Sequence, residues 1–145
     1  MSATEAFLTQ EEEAEIVAAI QKAEINTSGE IRVHIESHTD KDHLDRAIEV
    51  FEELDMHLTQ NRNGVLIYLA VADHKFYIIG DVGIDKMVGN DFWTSTRNLM
   101  AAQFKKGLYK DGLIAGILEA GVQLKKYFPY QSDDTNELPD TISKT

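Results

Sequence analysis

The 145-residue sequence contains no cysteine. Disulfide scaffolds, thiolate zinc sites and thiol nucleophiles are therefore excluded. Basic residues are scarce, 14 Lys and Arg against 25 Asp and Glu, for a net charge of −11. No basic stripe is present, and nucleic-acid affinity comes mainly from clustered Lys and Arg, so phosphate-backbone binding is a poor fit. Divalent cations or basic partners suit such a chain better, although acidity of this kind also simply keeps a protein soluble. No apolar run approaches the roughly 18 residues of a membrane span. The N-terminus shows neither a basic region nor an apolar signal core, so the expectation is a soluble, cytoplasmic protein.

The negative charge lies at the ends. Residues 1–30 hold seven acids against Lys22, and residues 129–145 hold four against Lys144, while the middle is nearly balanced. A chain of this length builds one domain with a core that needs no metal or disulfide.

The most strongly patterned stretch is Arg62-Asn63-Gly64 followed by Val65-Leu66-Ile67-Tyr68-Leu69-Ala70-Val71. A turn signal feeding an unbroken, β-branched-rich apolar run predicts a strand buried on both faces, hence the centre of a sheet. Thr9 with Glu12 has capping-box spacing, and Ile16, Val17, Ile20 and Ala23 continue as one apolar stripe, predicting a first helix. Glu30 to Glu36 alternates polar and apolar, as a strand with one wet or polar-lined face does. Leu44, Ala47, Ile48, Phe51 and Leu54 trace a second helix. A helix between two strands makes a right-handed crossover, so the first strand and the 65–71 strand should run parallel. Asp73-His74-Lys75 is too short for another crossover, which makes Phe76 to Ile79 an antiparallel hairpin partner. Beyond it, a helix is predicted from Asn90 or Asp91 to Lys106-Gly107, with Trp93 in the core, and another from Lys110 to Tyr127, stopped by Phe128-Pro129. The fold class is α/β, in the order α-β-α-β-β-α-α, with a mixed sheet sandwiched between helices. The domain spans residues 9–128, and residues 129–145 are expected to form an acidic, irregular or disordered tail.

These directions bring three loops to one edge of the sheet and collect Glu30, Asn63, Asp81, Asp85 and Asp91 there. Carboxylates and an amide carbonyl on glycine-bearing loops are what Ca²⁺ or Mg²⁺ requires of a site. The same residues also read as an N-cap (Asp91), a turn former (Asp81) and a solvated strand end (Glu30). His38, Asp40, Asp42 and His43 match no zinc motif and read as a hydrated loop whose Asp42 caps the second helix. His34 and His57 have no identifiable partner. Gly80-Asp81-Val82-Gly83 lacks the third glycine and the later acid of a dinucleotide fingerprint. No catalytic nucleophile can be assigned, and a protein-interaction module using the polar strand face or the acidic tail is the reading of a different class.

Four segments taken in order carry a resemblance: Thr27 to Val33, Arg62 to Tyr68, Ile79 to Ile84, and Phe104 to Leu113 with its Lys-Lys-Gly-Leu-Tyr-Lys-Asp-Gly core. Together they resemble the successive motifs of the TPM domain family, in a short, soluble bacterial branch. The resemblance implies an α/β sandwich. It also implies divalent-cation binding, known in bacterial members, or the acid-phosphatase activity of thylakoid relatives tied to photosystem repair. By motif position it singles out Glu30, Asp81, Asp85 and Asp91. The chain departs from longer members in showing no signal peptide, membrane anchor or glycine-rich tail, and in having Gly-Asp-Val-Gly where many have Gly-Tyr-Gly.

Overall fold

The computed structural model describes residues 7–25, 27–89, 91–130 and 137–145. Helix α1 (Gln10–Glu24) starts from Thr9 through a complete capping box, with Thr9 and Glu12 each accepting the other's backbone N–H. It is followed by β1 (Glu30–Glu36), α2 (His43–Glu53), a 3₁₀ turn at Met56–Leu58, β2 (Gly64–Ala70) and β3 (Lys75–Gly80). The order continues with a one-turn helix α3 (Val82–Asp85), α4 (Thr94–Phe104), α5 (Tyr109–Tyr127) and a two-residue strand β4 (Ser143–Lys144). Asp42 caps α2 as expected, accepting from Asp45 N at 3.1 Å. Among the described residues no helix is long and apolar enough to cross a membrane.

The sheet order is β3-β2-β1-β4, with β1 parallel to β2 and β4, and β3 antiparallel to β2. The parallel β1–α2–β2 unit and the hairpin are those the sequence implies. β2 is buried along its whole length because both faces are covered. Ile31, Val33, Ile35, Val65, Ile67 and Leu69 pack with Ile16 and Ile20 of α1, Met100 of α4 and Leu113, Ile117 and Leu124 of α5. On the opposite face Leu66, Tyr68 and Ala70 meet Ala47, Val50, Phe51 and Met56. Trp93 packs half-buried against the first of these clusters.

Two expectations change and one is narrowed. Asn90 lies outside the described residues, and α4 begins at Thr94, not at Asp91, because residues 91–93 form a turn in which Phe92 N bonds to Gly89 O and Thr94 N to Asp91 O. Of the two alternatives for the polar face of β1, wet or polar-lined, the face is polar-lined: Glu30, His34 and Glu36 are 3%, 2% and 5% exposed. Finally, the end of the stretch read as an irregular tail returns to the sheet. Leu138 joins the core, and His34 and Ile35 pair with Ser143 and Lys144. His34, which showed no partner in the sequence, lies 2.9 Å from Ser143 Oγ and 3.0 Å from Thr145 Oγ1. Burial holds its pKa below the ordinary histidine value.

Candidate functional site: an acidic cluster at the sheet edge

The register sets Glu30 beside Gly64 and Val65 beside Gly80, so the starts of β1 and β2 and the end of β3 do share one edge. Asn63 is buried there, accepting Glu30 N through its carbonyl at 3.4 Å and donating to Ser28 Oγ at 3.3 Å. Asp81 is also buried, but its carboxylate is occupied. Arg62 donates to both oxygens (Nε to Oδ2 at 2.7 Å, Nη2 to Oδ1 at 2.9 Å), and Val82 N donates at 2.8 Å as Asp81 caps α3. Such a two-pronged guanidinium pairing neutralises the carboxylate and fixes the loop between β3 and α3. Asp85 and Asp91 are exposed. The Asp85 carboxyl is raised above the ordinary value by partial burial and by the Asp81 charge.

Glu30 differs from all of these. Its Oε1 accepts Leu138 N at 2.6 Å, while its buried Oε2 has no hydrogen-bond partner among the described residues. Burial raises its pKa to about 7, the backbone N–H groups of Leu138 and Glu137 pull against that rise, and the carboxylates of Glu137 and Asp140 add to it. Beside it, Glu24 accepts Ile31 N at 2.9 Å and shares a hydrogen bond with the Asp140 side chain. Burial first, and then Asp140, push Glu24 up to about 9. Four acids, Glu24, Glu30, Glu137 and Asp140, thus surround the entry of β1, three of them outside the five residues the sequence proposed. Glu24 had a legible signal: it falls at i+4 from Ile20 and i+8 from Ile16, on the apolar stripe of α1, at the helix end where the macrodipole disfavours an anion. Glu137 and Asp140 had only the apolar Leu138 between them as a sign that this stretch packs.

Among the described residues no three His, Asp or Glu side chains form a group that holds a metal ion as they stand. The five sequence-derived residues do not make one coordination shell, since Asp81 is committed to Arg62. The orphaned Glu30 oxygen, near the Glu137 and Asp140 carboxylates whose charges oppose the ionisation of Glu30, is a donor atom of the kind a hard cation takes. At the far end of the sheet, the loop of His38, Asp40 and His43 is not simply hydrated. Asp73 binds His38 Nδ1 at 2.6 Å, His43 Nε2 at 2.9 Å and Thr39 N at 3.1 Å, which holds the Asp73 carboxyl far below the usual carboxylate range.

The Glu24 shift has a measurable sign. An ordinary glutamate ionises near 4.5, and folded Glu24 near 9. Its favourable contribution is therefore complete below about pH 4.5 and is lost progressively as pH rises toward 9. Glu24→Gln keeps an acceptor for Ile31 N and offers Asp140 an N–H, so it should stabilise the cation-free protein at pH 8 by about 2 kcal/mol and change little at pH 4.5. Urea denaturation at the two pH values checks this.

A family model for the TPM domain matches residues 1–123. No curated protein matches. Among solved structures, the chain is similar to the BA42 protein from the psychrophilic bacterium Bizionia argentinensis, an NMR structure, with 56% identity over 100% of both chains and a TM-score of 0.93. The fold alone is shared with the N-terminal domain of a P. gingivalis protein (18% identity, TM-score 0.68, 84% of this chain and 79% of that one). It is shared likewise with the N-terminal domain of the cg2496 protein from Corynebacterium glutamicum (14% identity, TM-score 0.64, 95% and 80%). From the match to most of its length, this chain belongs to the TPM domain family.

Proposed function

We propose that the chain is a divalent-cation-binding TPM domain, taking Ca²⁺ or Mg²⁺ at the acidic edge of the sheet. The observation that carries the reading is the buried, unpartnered Oε2 of Glu30 within a group of carboxylates. Glu30 is the central ligand, Glu137 and Asp140 approach it from the 137–140 segment, and the carbonyl of Asn63 lies against the Glu30 backbone. A bound cation supplies the positive charge that lets Glu30 ionise, with backbone carbonyls and water completing the shell. Asp85, which feels the Asp81 charge, serves as an outer acid on the same edge, exposed Asp91 is not drawn into the cluster, and Asp81 is assigned to holding Arg62. Since Glu24 and Glu30 bind protons near neutrality, affinity should rise from pH 6 to pH 8, and binding should release protons.

Amide shifts followed during separate titrations with CaCl2 and MgCl2 test the reading. Saturable shifts are expected at Ile31 and Leu138, whose N–H groups donate to Glu24 and Glu30, and Glu30→Gln should abolish them. Silence of both amides up to about 10 mM of either cation, above the range of weak extracellular calcium modules, overturns it. Phosphomonoester hydrolysis at this edge has one observation in its favour: a carboxyl with a pKa near 7 suits general acid–base work. Turnover of p-nitrophenyl phosphate that survives in Glu30→Gln removes that role.

A further inference from the structure

A second concavity lies at the other end of the sheet from Glu30. It is a cavity of about 500 Å³ lined by Leu69, His74, Phe76, Ala101, Phe104, Lys105, Gly107 and Tyr109. Its walls are aromatic. Phe76 and Phe104 meet edge to face at 5.0 Å, and Phe104 and Tyr109 stack at 5.4 Å. These rings are only half-buried, although each packs against the core and Phe7 meets Tyr109 edge to face at 5.0 Å, so the described residues leave apolar surface uncovered. The rim is polar. Tyr109 Oη lies 3.4 Å from His74 Nδ1, linking the start of α5 to the β2–β3 turn, where His74 adopts a left-handed conformation at φ 53°. Gly107, at φ 77°, connects α4 to α5, and no atom lies within 4 Å of where its side chain would begin, so the rim is open there.

Charge separates this cavity from the rest of the molecule. In a chain with 25 acidic and 14 basic residues, the lining contains Lys105 and His74 but no acid among the described residues. Among the described residues Lys105 forms no ion pair, whereas nearby Lys110 is engaged by Glu15 at 3.1 Å. The volume lies within the range of small-molecule sites, and apolar walls with a few polar groups at one side are what such sites consist of. We propose that this cavity binds a small amphipathic carboxylate, with an aromatic or short aliphatic body between Phe76, Phe104 and Tyr109 and its headgroup at Lys105 and His74. The site is independent of the acidic edge, and the charge of its rim selects an anion over a neutral molecule of the same shape.

The test uses the full chain with 2-naphthoate and, as the uncharged counterpart, naphthalene-2-methanol, each followed by amide shifts. Saturable shifts at Ala101, Gly107 and Tyr109 are expected with naphthoate, at an affinity about three- to five-fold above that of the alcohol, the advantage an exposed cation supplies. Lys105→Glu should erase this preference while leaving alcohol binding intact. Ala101→Phe, which fills the cavity, should abolish both, with the remaining amide spectrum reporting that the fold persists. Absence of saturable shifts at millimolar naphthoate overturns the proposal. Equal affinity for acid and alcohol, or a preference unchanged in Lys105→Glu, overturns the assignment of an anion.

Discussion

Glu36→Ala is expected to lower stability by about 3 kcal/mol, because it strips the buried Tyr68 hydroxyl of its acceptor and Arg46 of its one buried carboxylate partner, leaving Arg46 only Glu49 and Glu53 on its own helix. Glu36 accepts from Arg46 Nε and Nη2 at 3.0 Å, from Thr145 Oγ1 at 2.8 Å and from the Tyr68 hydroxyl. Tyr68 is fully buried, so water does not replace its lost partner, and the Arg46 side chain is only 15% exposed. For a domain of this size the midpoint of thermal unfolding should fall by about 10 °C. The pH dependence has the opposite sign to that of Glu24. Burial alone would raise the Glu36 pKa, but Arg46, Tyr68 and Thr145 outweigh it and hold it at about 2, against an ordinary 4.5. Its stabilisation is present above about pH 4.5 and disappears as pH falls toward 2. With Glu24 and Glu30 eroding stability from the alkaline side, the cation-free protein should be most stable near pH 5, and Glu36→Ala should flatten the acid limb selectively. A loss under 1 kcal/mol with an unchanged acid limb would show that the network contributes little.

Gly83→Ala should cost a similar amount, about 3 kcal/mol, for a steric reason. Gly83 donates its N–H to Arg62 O at 2.8 Å, which presses the first turn of α3 against the backbone ahead of β2. A methyl group there would meet the carbonyl oxygens of Asn61 and Arg62, the second at 2.5 Å. Neither is the end of a flexible side chain, so one strand of backbone must move, and the Arg62–Asp81 pairing moves with it. Gly89, where no atom lies within 4 Å of the added carbon, is the control: Gly89→Ala should change stability by no more than about 0.5 kcal/mol. Thermal unfolding of the two variants side by side decides the matter, and equal midpoints would refute the packing argument.

The layout of the sheet was legible because its signals are local: a capping box at Thr9, an apolar run after Asn63-Gly64, and a connection at Asp73 to Lys75 too short for a crossover. The candidate site was legible only in part. Glu30 and Asn63 were placed correctly at one edge, since strand direction follows from connection length. Arg62 was missed as the partner of Asp81 because a pairing between residues 62 and 81 depends on side-chain reach across the sheet edge, which no spacing encodes. Glu137, Asp140 and the partners of His34 were hidden for a related reason. Composition marks residues 129–145 as polar, and polarity does not reveal that the chain returns and pairs with β1.

That return ties two distant groups into one equilibrium. The described end of the chain is fastened twice: Leu138 N bonds to Glu30, and Thr145 N bonds to Ile35 O at 3.1 Å while its hydroxyl reaches Glu36. If the two attachments open together, a ligand that tightens the first shortens the excursions of the second, and by reciprocity release of β4 weakens the ligand. Cation occupancy at Glu30 would then be read out at the opposite end of β1, as slower amide hydrogen exchange at Thr145 in a region the cation never touches.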